Sequence, residues 1–218
     1  MPKYKKRYYR RSKWRPWIKA SAPAVGYVAA KVAQKVVKQY VNVEYKVHDE
    51  ASSDTPDTTP TIIGLSLIEE GDDNDNRNGR QIKGVSFQMQ GSIKIDSSAP
   101  DSIVRMIIIQ DKHQDGVLPS SSDIHTGGIT VSSLPSDENR KRFVTLYDKR
   151  TVVSNSGMGK KIYKYYKKWK PGKKIHYKGI AASQASQGNN NLYLIIVSDE
   201  ATNTPTVIYK TRLKYIDN

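Results

Sequence analysis

Between Val85 and Ile95 the chain alternates with a period of two. Val85, Phe87, Met89, Ile93 and Ile95 fall on one side, and Ser86, Gln88, Gln90, Ser92 and Lys94 on the other. A helix would scatter both sets around its circumference, so this segment reads as an extended strand with one buried face. Val41, Val43, Tyr45 and Val47, alternating with Asn42, Glu44 and Lys46, carry the same signal. Further extended runs rich in β-branched and aromatic residues lie at 61–67, 103–110, 143–153, 161–169, 175–181, 192–197 and 207–216. Turn-forming stretches such as SSDTPDTTP, SSAPD, SNSGMG and EATNTP separate many of them. Roughly eight or nine strands with no convincing helix after residue 40 predict an all-β body. Closing two antiparallel sheets face to face buries one side of each, so the expected fold is an eight-stranded antiparallel jelly-roll sandwich. An immunoglobulin-like sandwich ranks second, because it is usually shorter and its cysteine pair is missing.

At 218 residues there is room for one domain and an appendage, and the charge shows where the appendage lies. The chain carries +15, yet residues 1–38 hold eight Lys, four Arg and no acid, a charge of +12 that leaves +3 for residues 39–218. The predicted division is therefore a basic arm over 1–38 and a nearly neutral jelly-roll domain over 39–218. Residues 1–19 have almost nothing aliphatic to bury and repel one another, which predicts disorder in isolation. From 24 to 38, Val25, Val28, Ala29, Val32 and Val36 recur at helical spacing with Lys31, Lys35 and Lys38 on another face, which predicts a basic amphipathic helix. The arm is thus partly helical or disordered.

The arm interleaves cations with rings. Lys3, Lys5, Lys6, Arg7, Arg10, Arg11, Lys13, Arg15 and Lys19 are candidates for phosphate neutralisation; Tyr8, Tyr9, Trp14 and Trp17 are candidates for stacking on unpaired bases. Single-stranded nucleic acid uses both, whereas a solvated tail or a nuclear-import signal needs only the charge. A second concentration over 160–178 contains nine Lys, which leaves the rest of the body at −6. Lys160, Lys161, Lys164, Lys167, Lys168, Lys170, Lys173 and Lys174 form a candidate second basic surface there. The competing explanation is an edge strand guarded by lysines against aggregation, with Tyr163, Tyr165 and Tyr166 as core residues.

Catalytic and metal chemistry find little footing. With no cysteine there is no disulfide, thiol nucleophile or Cys-based zinc site. His48, His113, His125 and His176 are far apart, and Asp111, His113 and a serine lack a nucleophile-elbow motif. The acidic run from Asp72 fails as a calcium loop, having Arg77 where the turn glycine belongs and Lys83 where the bidentate glutamate belongs. No cofactor and no metal are expected. The longest apolar runs, such as Leu192 to Val197, fall far short of the ~20 residues of a membrane helix.

Several short motifs occur in a particular order. After the basic aromatic arm come Leu65-Ser66-Leu67-Ile68, Gly71-Asp72, Arg77-Asn78-Gly79 and Ile82, then Gly91-Ser92-Ile93. Phe143 to Tyr147 with Asp148-Lys149 follow, and Tyr209 to Asp217 closes the set. In this order the chain resembles the single jelly-roll capsid proteins of circular Rep-encoding single-stranded DNA viruses, which are similar to satellite tobacco necrosis virus coat protein. The resemblance implies a T=1 icosahedral shell of sixty copies, with the arm turned inward onto single-stranded nucleic acid. It favours DNA as that nucleic acid and implies location in the virion, with assembly in the host nucleus and use of the nuclear import machinery. No segment identifies a host receptor. The rivals are a monomeric basic nucleic-acid-binding protein of ribosomal or chromatin-associated type, and a β-sandwich enzyme with a basic extension.

Overall fold

The computed structural model describes residues 44–168 and 173–217. The arm, its predicted helix over 24–38, the strand residues 41–43 and Lys170 lie outside the described residues. Nine strands run in chain order: β1 (Tyr45–Asp54), β2 (Thr61–Gly64), β3 (Gln81–Lys94), β4 (Asp101–Asp111), β5 (Phe143–Ser154), β6 (Lys160–Lys168), β7 (Lys174–His176), β8 (Asn191–Ser198) and β9 (Thr206–Asp217). One sheet has the order β1, β9, β3, β6, with β7 also paired to β3; the other has the order β2, β8, β4, β5. Every pairing between these strands is antiparallel. Because β6 and β7 flank the same strand in sequence, they are one interrupted strand position, and the sandwich has four positions in each sheet. The chain changes sheet at every connection except β4 to β5, which is the winding of a jelly roll.

The burial of each strand follows its place. Phe87, Met89 and Ile93 of β3, with Val207, Leu213 and Tyr215 of β9, face Val104, Met106 and Ile108 of β4 and Leu192, Leu194 and Ile196 of β8 across the inter-sheet core. The opposite side of β4 and β8 is buried too. Ile107, Ile109, Tyr193, Ile195 and Val197 pack under the connection 112–142 through Ile124 and Ile129. All eight residues of β8 are buried, which explains why it reads as a continuous apolar run rather than as an alternation.

Sequence expectations shift at three elements. In β3 the register slips between Gly84 and Ser86, a bulge that reverses the phase, so Val85 is half-buried while Ile82 and Phe87 are core. In β1 the strand continues to Asp54 through residues expected to be loop, held by ten paired positions on β9. Its phase is also unexpected, since Lys46 is buried while Tyr45 is exposed. The reason is that Lys46 donates to the Asn76 carbonyl and meets Asp217 at 3.0 Å, so its charge is compensated inside. Finally, α1 (Ser121–Ile124) is a single helical turn that departs from the all-strand expectation after residue 40; Ser120 caps it in a reciprocal box with Asp123.

Candidate nucleic-acid interface

The second basic segment falls on β6, the edge of the five-stranded sheet. Alternation divides it. Tyr163 turns inward and is buried, its hydroxyl donating to the Ile208 carbonyl at 3.0 Å. Burial pushes that phenol far above its ordinary range, so it is a neutral donor. Tyr165 also turns inward, packing 4.8 Å from the Tyr147 ring and donating to the Leu146 carbonyl. Lys161 and Lys167 share this side at the open rim, opposite the core residues Ile93 and Phe87. Lys173 lies between β6 and β7, where its ammonium donates to Gln110 Oε1 at 2.6 Å. Partial burial, then Lys112 and Lys167, hold its pKa below the usual lysine range.

The remaining candidate lysines among the described residues point to the other face, away from the core. Lys160, Lys164 and Lys168 are exposed there, and Lys174 follows across the break, opposite in phase to the buried Ile175. The seven candidate lysines among the described residues therefore do not form one patch. The structure joins the outward ones to residues not singled out from the sequence. Lys160 pairs with Lys94, Lys164 with Gln90 and then Lys210, and Lys168 with Ser86 and then Lys214. Between these rows lie Ile162, Ser92 and Ile208 in one, and Tyr166, Gln88 and Arg212 in the next. Tyr166 is thus an exposed ring rather than core, at 54% exposure. The signal for Lys210, Arg212 and Lys214 was present as basic residues at alternate positions of the closing strand, but only the register places them beside β6.

Three of the outward cations have partners, the first being Lys174, whose ammonium donates to Gln81 Oε1 at 3.4 Å. Arg212 forms a two-pronged pair with Asp49 on β1, with Nε 2.7 Å from Oδ1, which holds the Asp49 carboxyl below its ordinary range. The Lys214 ammonium sits 4.3 Å from the centroid of the Tyr45 ring. Among the described residues, no group of three or more His, Asp or Glu side chains is arranged to hold a metal ion. Asp111 is occupied by Arg142 through Nε and Nη2, a clamp joining the end of β4 to the start of β5.

The motifs that carried the sequence resemblance have structural employment. Arg77 is fully buried; it donates to the Ile68 carbonyl at 3.0 Å, pairs with Glu70, bonds the Gly79 and Gly179 carbonyls, and lies 4.1 Å from the Tyr177 ring centroid. Gly79, at φ +85°, supplies the left-handed turn that brings its carbonyl to the guanidinium. Asp148 pairs with Arg105 through both carboxylate oxygens, at 2.9 and 2.7 Å.

With the fold and these residues in place, a family model described as satellite tobacco necrosis virus coat protein matches residues 27–218. The chain belongs to the satellite tobacco necrosis virus coat protein family. A curated relative, the coat protein of satellite tobacco necrosis virus 2, is 27% identical over 153 residues, 69% of this chain and 75% of its own length. Among solved structures, a cowpea mosaic virus top component chain is 14% identical with a TM-score of 0.37, covering 82% of this chain and 88% of its own. A broad bean stain virus chain is 13% identical with a TM-score of 0.37, covering 81% and 91%. At such scores these two likenesses carry no argument, and the jelly roll rests on the strand order above. Family membership makes the chain a viral capsid protein and a virion component. It falls on the satellite-virus side of the sequence resemblance; the attribution to circular DNA viruses draws no support from it.

Proposed function

We propose that the chain is the repeating subunit of a closed T=1 shell of sixty copies, and that it packages single-stranded nucleic acid through its arm without reading sequence. The observation carrying this reading is the charge division within a coat-protein family member: +12 in residues 1–38 against +3 in the rest. The body supplies the surface that copies share, and the arm supplies counter-charge and stacking rings, Lys3 to Lys19 with Tyr8, Tyr9, Trp14 and Trp17. Sixty such arms provide on the order of 700 positive charges, enough to neutralise a substantial part of a genome of about one to a few thousand nucleotides at one phosphate charge each. Stacking and phosphate contacts serve DNA and RNA alike, so the choice between them, and with it any nuclear stage, is decided by competition between matched strands.

Deletion of residues 1–20 tests the division of labour. The truncated chain is expected to keep the β-rich circular dichroism of the full chain and to lose most of its nucleic-acid affinity. For the full chain, log K should fall linearly with log salt, with a slope of about −0.7 per phosphate engaged on a single strand. A truncation that unfolds, or one that binds undiminished, overturns the assignment. A protein that sediments as a monomer under all conditions overturns the shell.

A further inference from the structure

We infer that the outward face of the five-stranded sheet is a second docking surface for single-stranded nucleic acid, on which lysine rows take phosphates and the rows between them take bases. The inference rests on the packaging reading above and goes further by naming a face of the folded body. Its first support is a cost without structural return. Lys94 and Lys160 are directly opposed across β3 and β6, and Lys83 and Lys174 across β3 and β7, although opposed like charges destabilise a sheet. Guarding an edge does not account for this, because Lys94, Lys210 and Lys214 sit on β3 and β9, which are interior strands. The one carboxylate on these outward strand positions, Asp49, is already engaged by Arg212.

The second support is the order of the rows. Same-face positions on a strand recur every ~6.7 Å, so the rows led by Lys160, Lys164 and Lys168 stand about 13 Å apart. The spaces between them hold Ile162 at 85% exposure and Ile208 at 47%, then Tyr166 at 54%. Exposed apolar and aromatic side chains framed by cations fit a ligand that offers anionic groups and planar rings by turns. An unpaired strand does so; a duplex hides its rings, and an acidic polysaccharide has none. The face is also the bare one. In the other sheet the outer side of β4 and β8 is buried beneath the connection 112–142, whereas on this side Gln88, Gln90, Lys94, Ile208 and Lys210 are exposed among the described residues.

The test uses the full-length protein and a fluorescent single-stranded homopolymer titrated over a range of salt. The double variant Lys164→Gln/Lys210→Gln should reduce the magnitude of the log–log salt slope by about 1.4, two phosphates' worth. The rim double Lys161→Gln/Lys167→Gln, which removes equal charge from the other side of β6, should leave it unchanged, as should Lys164→Arg/Lys210→Arg. Tyr166→Ala should weaken binding about tenfold with the slope intact, and Tyr166→Phe should bind like the parent. Equal slopes for the outward and rim doubles overturn the inference while leaving arm-driven packaging standing. A parent protein that does not bind the homopolymer overturns the packaging reading itself. Displacement by heparin together with an inert Tyr166→Ala assigns the face to an acidic polysaccharide and also refutes the inference.

Discussion

Gly91 stands between two tyrosines. It is the register partner of Tyr163 on one side and Tyr209 on the other, and a Cβ there would lie 1.9 Å from the Ile208 carbonyl oxygen and 2.6 Å from the Tyr163 hydroxyl. The missing side chain is what allows that hydroxyl to reach the Ile208 carbonyl. Gly91→Ala should therefore cost about 1–3 kcal/mol through backbone displacement, readable as a lowered urea midpoint with an unchanged m-value. Single residues also mark how far the sequence could be read. Phe87, Met89 and Ile93 announced their burial by period alone. Lys46 and Arg77 did not, because a buried cation becomes tolerable only through partners distant in sequence, Asp217 for one and the Gly179 carbonyl for the other. Tyr163 and Tyr166, three positions apart, take opposite fates that composition cannot separate but strand phase can.

At the scale of elements, the connection 112–142 behaves as a cover fastened at defined points. Beside the Arg142 clamp to Asp111, the Arg105 guanidinium donates to the Thr130 and Ser133 carbonyls, each at 2.8 Å, and Ser133 Oγ lies 2.8 Å from His125 Nδ1. Burial, and then the Arg105 charge, hold the His125 imidazole below its ordinary range; Arg150 adds to this, while Asp148 and the Ser133 hydrogen bond oppose it. The histidine is therefore carried neutral in the fold. As pH falls below about 6.5 the unfolded chain takes up this proton before the folded one, so stability declines with acidification until the folded group also titrates. Asp148, held low by its hydrogen bonds with Arg105, adds a second loss below about pH 4. Protection factors at Ile124 and Ile129, taken relative to the intrinsic exchange rate at each pH, should fall between pH 7 and pH 5.5, and His125→Gln should remove that fall. The strands themselves were largely legible, since all nine overlap extended runs, although β1 does so only over Tyr45–Val47 and β7 only over Ile175–His176. Their pairing was not, because register is set by bulges at Val85 and near Leu146 and by contacts between residues more than a hundred positions apart.

For the whole molecule, the two sheets have unlike outer sides, one covered by its own chain and one carrying rows of cations. If the arm dominates packaging, the length of nucleic acid enclosed should track its charge. Replacing Arg7, Arg10, Arg11 and Arg15 by Gln removes four of the twelve arm charges, so the nucleotides recovered per particle should fall by about a third at constant particle size. Particles with undiminished content would show that the body, rather than the arm, sets the load. The order of strands has one more outcome. β9 lies between β1 and β3, joined to each by ten or more paired positions, so the earliest and third strands meet only through the last. A nascent chain on the ribosome cannot finish its sandwich until Thr206–Asp217 has emerged. Until then β1 and β3 each keep an unpaired edge, so the incomplete chain is the species most exposed to misassociation, and delivery of that final strand closes both edges at once.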